Sequence, residues 1–511
     1  MMPAAASSAK QIARHHTAFT GDMAHDLALI DRVIAEGPYE PDWASLPGNR
    51  PPAWFADAKF GIFTHWGLYT VPEYRNEWYS RNMYIQGYPE FEHHRENYGP
   101  QSEFGYKNFI PMFTAERFDA DEWADLFAKS GARYYFPVAE HHDGFQMYGS
   151  ALSHWNAVEM GPKRDVIGEL RAAAINHGLH FAVSNHRAEH WWFMGHGREF
   201  DSDVMDPMAR GDFYWPAMPE PDNQDLHSTP YPSEEYLNDW LVRVCELVDA
   251  YRPELLYFDW WIQHEAFKPY IKRFAAYYYN RGVQWGIPVS ICYKDDGMAW
   301  GAGIVDVERG GFADPKPYIW QTDTAIARNS WCYTSTLDYK TLPELVGTLV
   351  DNVSKNGNLL LNVGPRADGS IDARDRELLE GIGTWMADNA EGIYGTRPWK
   401  LAQEGPTRQT EGAFGDQSAW TWTSQDFRFT AKDGAVYAYC LNPEGANTLT
   451  IKAFAAYHDG ERAPFHGIVV GVEQLGAGPV PYERTADGLV ITPAARGGDP
   501  ALPIGFKITI L

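Results

Sequence analysis

Residues 255–261 read Leu255-Leu256-Tyr257-Phe258-Asp259-Trp260-Trp261, a four-residue apolar run that ends in a carboxylate and two indoles. A run with no polar face is how a strand covered on both sides reads. The acid at its end is either a cap for a following helix or a functional group, because buried carboxylates are rarely tolerated unpaired. Working outward, similar runs occupy 60–66, 134–139, 180–184, 289–293, 304–307, 318–321 and 359–363. Amphipathic helices are predicted over 120–129, 166–176, 234–249, 267–279 and 343–354. This alternation predicts an α/β fold, a (β/α)8-like TIM barrel. A doubly wound open sheet is the alternative, but its usual G-x-G-x-x-G turn is missing. Polar residues follow the runs: His65, Glu140-His141-His142-Asp143, Asn185-His186, Asp259, Lys294, Glu308-Arg309 and Asp323. In a barrel such strand ends share one mouth.

After Trp399 the texture changes to short alternating runs separated by Gly, Pro and Asp, over 436–441, 448–454, 468–472, 489–492 and 506–511. They predict a C-terminal antiparallel β-sandwich domain. The expected division is a helical or irregular lead-in over 1–50, the catalytic barrel over 51–397 and the sandwich over 398–511. The stretch 195–233, rich in Pro, Asp and Met, reads as an excursion over the barrel mouth.

The chain has 511 residues, 44% of them hydrophobic and 22% charged, which excludes wholesale disorder. Its net charge of −25 argues against nucleic-acid and membrane-surface partners, which call for clustered Lys and Arg. Of the 20 tryptophans, only Trp420 and Trp422 lie beyond residue 400. Some sit beside polar strand ends (Trp66, Trp78, Trp260, Trp261), while Trp123 and Trp240 fall on helices as core. Trp, His and carboxylates together suit a neutral hydroxylated ring as ligand. Trp420 and Trp422 are read either as a sugar-stacking platform or, preferably, as packing against the barrel. The four cysteines are scattered and form no C-x-x-C pair, as in a reduced protein. No apolar run of signal-peptide length opens the chain, so a cytoplasmic location is expected, or a periplasmic or secreted one if a signal has been removed. Homo-oligomerisation is left open.

Two carboxylates from different strand ends are what glycoside hydrolysis needs. Asp259 and Glu308 are candidates, with Glu73, Glu77, Glu140, Asp143 and Asp323 as others. His141 and His142 tempt a zinc reading, but no H-E-x-x-H spacing exists, and neighbours on one strand point to opposite faces. No metal and no cofactor is expected. G-x-S-x-G and P-loop motifs are absent.

The chain resembles glycoside hydrolase family 29, the retaining α-L-fucosidases, over about residues 50–400. The resemblance rests on Phe60-Gly61-Ile62-Phe63-Thr64-His65-Trp66-Gly67, Asn76-Glu77-Trp78-Tyr79, Glu140-His141-His142-Asp143-Gly144-Phe145 and Gly161-Pro162-Lys163-Arg164-Asp165. It continues through Tyr257-Phe258-Asp259, Asp306-Val307-Glu308-Arg309-Gly310 and 356–365. It implies a catalytic barrel with a β-sandwich, Asp259 as nucleophile and Glu308 as acid/base. It also implies a fucose pocket of His65, Glu77, Trp78, His141 and His142, with Trp331 as a further apolar wall. Lys294 stands where many members carry an arginine, and it offers a donor without the planar fork. The expected substrate is a fucosylated oligosaccharide or glycan. The alternatives are a sugar-binding barrel without catalysis and a hydrolase of a related sugar such as an α-galactoside.

Overall fold

The computed structural model describes residues 17–416, 421–457 and 462–511. Eight parallel strands form its centre: β1 Phe60–Thr64, β2 Tyr134–Glu140, β3 His180–Asn185, β4 Leu255–Phe258, β5 Ser290–Tyr293, β6 Ile304–Val305, β7 Trp320–Ala325 and β8 Gly357–Val363. Each pairs with its sequence neighbour, and β1 pairs with β8. Between β6 and β7 the ring is closed just beyond the short β6, where the Val307 N–H donates to the Gln321 carbonyl at 2.9 Å. The barrel is the one expected from the apolar runs.

The two-sided burial of these strands separates two packed layers. Phe63, Tyr134, Phe136, Tyr257 and Leu360 point into the barrel and fill it. Their neighbours Ile62, Tyr135, Leu256 and Phe258 point outward against the helices. The interior is a solid plug of mostly aromatic side chains, so a ligand can bind only above it.

Helices Ala120–Lys129, Val166–Asn176, Glu234–Tyr251, Lys268–Trp285 and Leu342–Ser354 lie where predicted. Their starts follow from capping: the side chains of Asp119, Ser233 and Thr341 accept from first-turn backbone N–H groups. Helices Met23–Glu36 and Ala373–Asn389 complete the coat. Among the described residues no helix separates β5 from β6 or β6 from β7. Those two connections are loops, a departure from the regular repeat that leaves this side of the barrel to the C-terminal segment. Nor is any helix among the described residues long and apolar enough to cross a membrane.

A six-stranded antiparallel sheet begins with Arg397–Glu404, and a three-stranded antiparallel sheet faces it. Phe427, Phe429, Leu449, Ile451, Phe506 and Ile508 pack between them. Strands Arg397–Glu404 and Phe427–Lys432 were not foreseen from sequence. Trp422 is buried, and Gly347 leaves room for it: a Cβ there would meet the indole at 2.0 Å. It therefore packs on helix Leu342–Ser354 and offers no exposed platform. Trp420 lies outside the described residues.

Candidate active site

The C-terminal ends of the strands open into one cavity of about 570 Å³. His65 follows β1, His141 and His142 follow β2, and His186 follows β3. Asp259 follows β4, Lys294 follows β5 and Glu308 lies three residues beyond β6; all line the same space. Asp323 enters from within β7. The loop after β1 adds Glu77 and Trp78, and the loop after β7 adds Trp331. The nine residues that the resemblance and the apolar-wall reading assigned to the site are thus brought together, while Glu73, Glu140 and Asp143 do not line the cavity.

Lys294 sits at the centre. Its ammonium donates to Asp259 Oδ1 at 2.8 Å and to Glu308 Oε2 at 2.7 Å, with Asp323 at 3.7 Å. The nearest Asp259 and Glu308 oxygens can be no farther apart than those two bonds laid end to end, about 5.5 Å. On its other side Asp259 Oδ2 meets His186 Nδ1 at 3.0 Å and His142 Nε2 at 3.5 Å. Burial opposes ionisation of Asp259, but Lys294, His186 and His142 outweigh it and hold the carboxyl well below the usual carboxylate range. Glu308 goes the other way. Burial, helped by the charges of Asp323 and Asp259, pushes it up to about 7 against the pull of Lys294. Two carboxyls on one ammonium therefore favour opposite protonation states at neutral pH.

The remaining acids sort themselves by partner. Glu140 is buried beneath the cavity on Arg187 and Arg243. Asp143 accepts from the Tyr106 hydroxyl at 2.7 Å. Asp323 accepts from Tyr257 at 2.9 Å and faces Asp306, whose carboxyl is pushed well above the usual carboxylate range by burial and by that neighbour. Glu77 accepts the Trp331 backbone N–H at 3.0 Å, and Asn362 donates to the Trp331 carbonyl at 2.6 Å. The same Asn362 amide oxygen takes the His65 Nδ1–H at 2.7 Å, which leaves His65 Nε2 to face the cavity as an acceptor. Burial and neighbouring imidazoles keep His65 and His141 neutral. One ring nitrogen from each of His65, His141 and His186 lies within 4.8 Å of the others, a spacing that could also hold a metal ion.

Three sequence expectations need correction. β2 ends at Glu140, so His141 and His142 are not on opposite strand faces; their rings lie 4.1 Å apart in one cavity. Trp66 turns away from the site, packs on Phe113, Phe118 and Trp123, and donates to the Arg366 carbonyl. Of the two indoles after Asp259, Trp260 lines the cavity while Trp261 is buried against Trp192 and His264.

Two contributors were given no role from sequence, both in the segment after β3 that was expected to line the mouth. One is His186, on Asp259. The other is Glu189, fully buried, which accepts from His142 Nδ1 at 2.9 Å. Burial of the His142 ring works against its charge, but Glu189, Asp259 and the His186 carbonyl push it up to about 9. Burial moves Glu189 itself up to about 7. Glu189→Gln is therefore expected to lower kcat/KM roughly ten-fold at pH 8, where the pair is His142 imidazolium and Glu189 carboxylate. The loss should shrink below pH 7, where Glu189 takes up a proton in the native protein too. A pH profile of the variant checks this; an equal loss at every pH would mean a packing defect.

Beneath this layer buried Arg187 bridges Glu140 at 2.8 Å and Asp239 at 3.3 Å. Arg187→Met strips a buried partner from both acids and is expected to cost about 3 kcal/mol. A shift of the urea midpoint at unchanged slope reads this out.

The model of the family described as alpha-L-fucosidase matches residues 27–391, the whole barrel. The chain belongs to the alpha-L-fucosidase family. The family is one of glycoside hydrolases, and curated relatives agree. Human plasma alpha-L-fucosidase is 34% identical over 391 residues, covering 71% of this chain and 73% of its own length. Rat (Rattus norvegicus) tissue alpha-L-fucosidase is 30% identical over 487 residues, covering 88% and 92%. Among solved structures, Thermotoga maritima alpha-fucosidase in complex with fucose is similar at a TM-score of 0.71 and 29% identity, covering 92% of this chain and all of that one. Within the family frame, the cavity above the barrel plug is where chemistry on a sugar belongs.

Proposed function

We propose that this chain is a retaining exo-α-L-fucosidase that removes terminal α-linked L-fucose from oligosaccharides or glycans. The observation that carries the reading is the single ammonium shared by Asp259 and Glu308. It holds the nearest oxygens of the two no more than about 5.5 Å apart, which fits the close carboxyl pair of a retaining enzyme. The opposite protonation preferences of the two acids fit two different roles, and the solved relative in complex with fucose supports the sugar.

Asp259, ionised, attacks the anomeric carbon. The glycosidic bond breaks, its electron pair goes to the departing oxygen, and that oxygen takes the Glu308 proton. A fucosyl ester on Asp259 results. Glu308, now a carboxylate, removes a proton from water as the water oxygen attacks the same carbon and the ester bond breaks. Fucose leaves with its original configuration, and Glu308 is reprotonated. Lys294 holds both carboxylates in place and keeps Asp259 charged. His65, its Nδ1–H held by Asn362, can accept from a ring hydroxyl through Nε2, and neutral His141 offers one donor and one acceptor nitrogen. Glu77 and the His142 imidazolium add an acceptor and a donor. Trp78 and Trp331 present apolar faces to the C5 methyl of fucose. No step is routed through a metal.

The test pairs an aryl α-L-fucoside with an aryl α-galactoside and follows the first product by proton NMR. Cleavage of the fucoside with α-fucose appearing first is expected. Preference for the galactoside, no turnover of either, or β-fucose first would each overturn the reading.

A further inference from the structure

Phe414 lies beyond the barrel, ten residues after strand Arg397–Glu404, yet its side chain lines the cavity that holds Asp259 and Glu308. The segment carrying it is clamped to the loop after β6. Gly412 and Gly311 exchange N–H···O bonds of 2.9 and 3.1 Å. The Phe414 N–H donates to the Glu308 carbonyl at 2.9 Å, and the Asp416 N–H donates to the Arg309 carbonyl at 3.0 Å. The Asp416 carboxylate is buried on Lys340 and Thr324. Gly310 permits the approach, since a Cβ there would lie 1.9 Å from the Gly412 carbonyl oxygen.

Phe414 has φ 57°, a conformation a bulky residue adopts only where its surroundings impose it. The ring so fixed remains 50% exposed. A clamp that strains an aromatic residue and leaves its ring bare in a cavity points to a ligand face. Its place says which ligand. The group that protonates a leaving oxygen lies beside the leaving sugar, and Phe414 is bonded to the backbone of Glu308. Tyr88, 43% exposed, is a second open ring lining the same cavity.

We propose that Phe414 is the platform for the leaving group: the pyranose to which fucose is attached, stacked by its apolar C–H face on the phenyl ring. The inference rests on the assignment of Glu308 above and names the aglycone as a sugar. It also gives the C-terminal segment a part in substrate choice, on the side of the barrel where the helices after β5 and β6 are missing.

The experiment compares α-L-fucosyl fluoride, whose leaving group is a single atom, with α-1,2-, α-1,3-, α-1,4- and α-1,6-linked fucosyl disaccharides. The readout is the ratio of kcat/KM for the best disaccharide to kcat/KM for the fluoride, which does not depend on the fraction of folded enzyme. Phe414→Ala should lower this ratio about ten-fold, mainly through KM, and Phe414→Tyr should hold it within about two-fold. An unchanged ratio in Phe414→Ala, or an equal drop in Phe414→Tyr, overturns the platform. Native enzyme that cleaves the fluoride but no disaccharide overturns the sugar aglycone. Native enzyme inert to the fluoride overturns the fucosidase reading and this inference with it.

Discussion

Asp259→Gly is expected to lower kcat on an aryl α-L-fucoside about 10⁴-fold, because no ester can form. Azide should restore turnover by filling the space of the missing carboxylate, and the product should be the β-azide, of inverted configuration. The cavity should otherwise persist, since His186 keeps its bond to Ser184 and Lys294 keeps Glu308 and Asp323. The variant also reports on Glu308. Asp259 is one of the charges that push Glu308 up, so its removal should move the Glu308 titration to lower pH. Near-normal turnover without azide would remove Asp259 from its role.

Glu308→Ala should separate substrates by leaving group. A disaccharide departs as an alkoxide unless protonated, so its kcat/KM should fall by about 10³-fold. An activated aryl fucoside needs little protonation and should lose about ten-fold or less in its first step. Azide should again help, now with retained configuration, because it attacks the fucosyl ester on Asp259 without needing a base. The pH profile follows from the direction of the shift. Glu308 works in its acid form and is pushed up to about 7. The native rate on disaccharides should therefore fall as pH rises through about 7. Asp259 stays ionised well below the usual carboxylate range, so it sets no acid limb near neutrality. In Glu308→Ala the limb near pH 7 should vanish. Equal losses on both substrates would move the acid role elsewhere, with Glu77 the next candidate in the cavity.

The barrel was legible because its strands are apolar on both faces, and the five helices between them carry clear amphipathic periods. The strand ends were legible for the same reason: a polar residue after a two-sided apolar run has few places to go but the mouth. Facing was not legible. Trp66 is next to His65 and Trp261 only two residues from Asp259, yet both turn into the core. Adjacency along the chain does not fix direction once a strand has ended, which is also why His141 and His142 share a cavity. The segment with His186 and Glu189 could be placed at the mouth, but without motif spacing their roles could not be assigned; these appear only when β3 brings them against Asp259 and His142. Phe414 lay further out of reach, since its approach depends on glycine pairs closing two segments about a hundred residues apart.

The central claim is a covalent fucosyl ester on Asp259, and trapping it tests that claim most directly. Incubation with 2-deoxy-2-fluoro-α-L-fucosyl fluoride should slow the second step more than attack is slowed, and mass spectrometry of the digested protein should find the fluorofucosyl mass on the peptide that carries Asp259. Label on the peptide of Glu308 or Asp323, or full inactivation with no label on any peptide, would contradict the account.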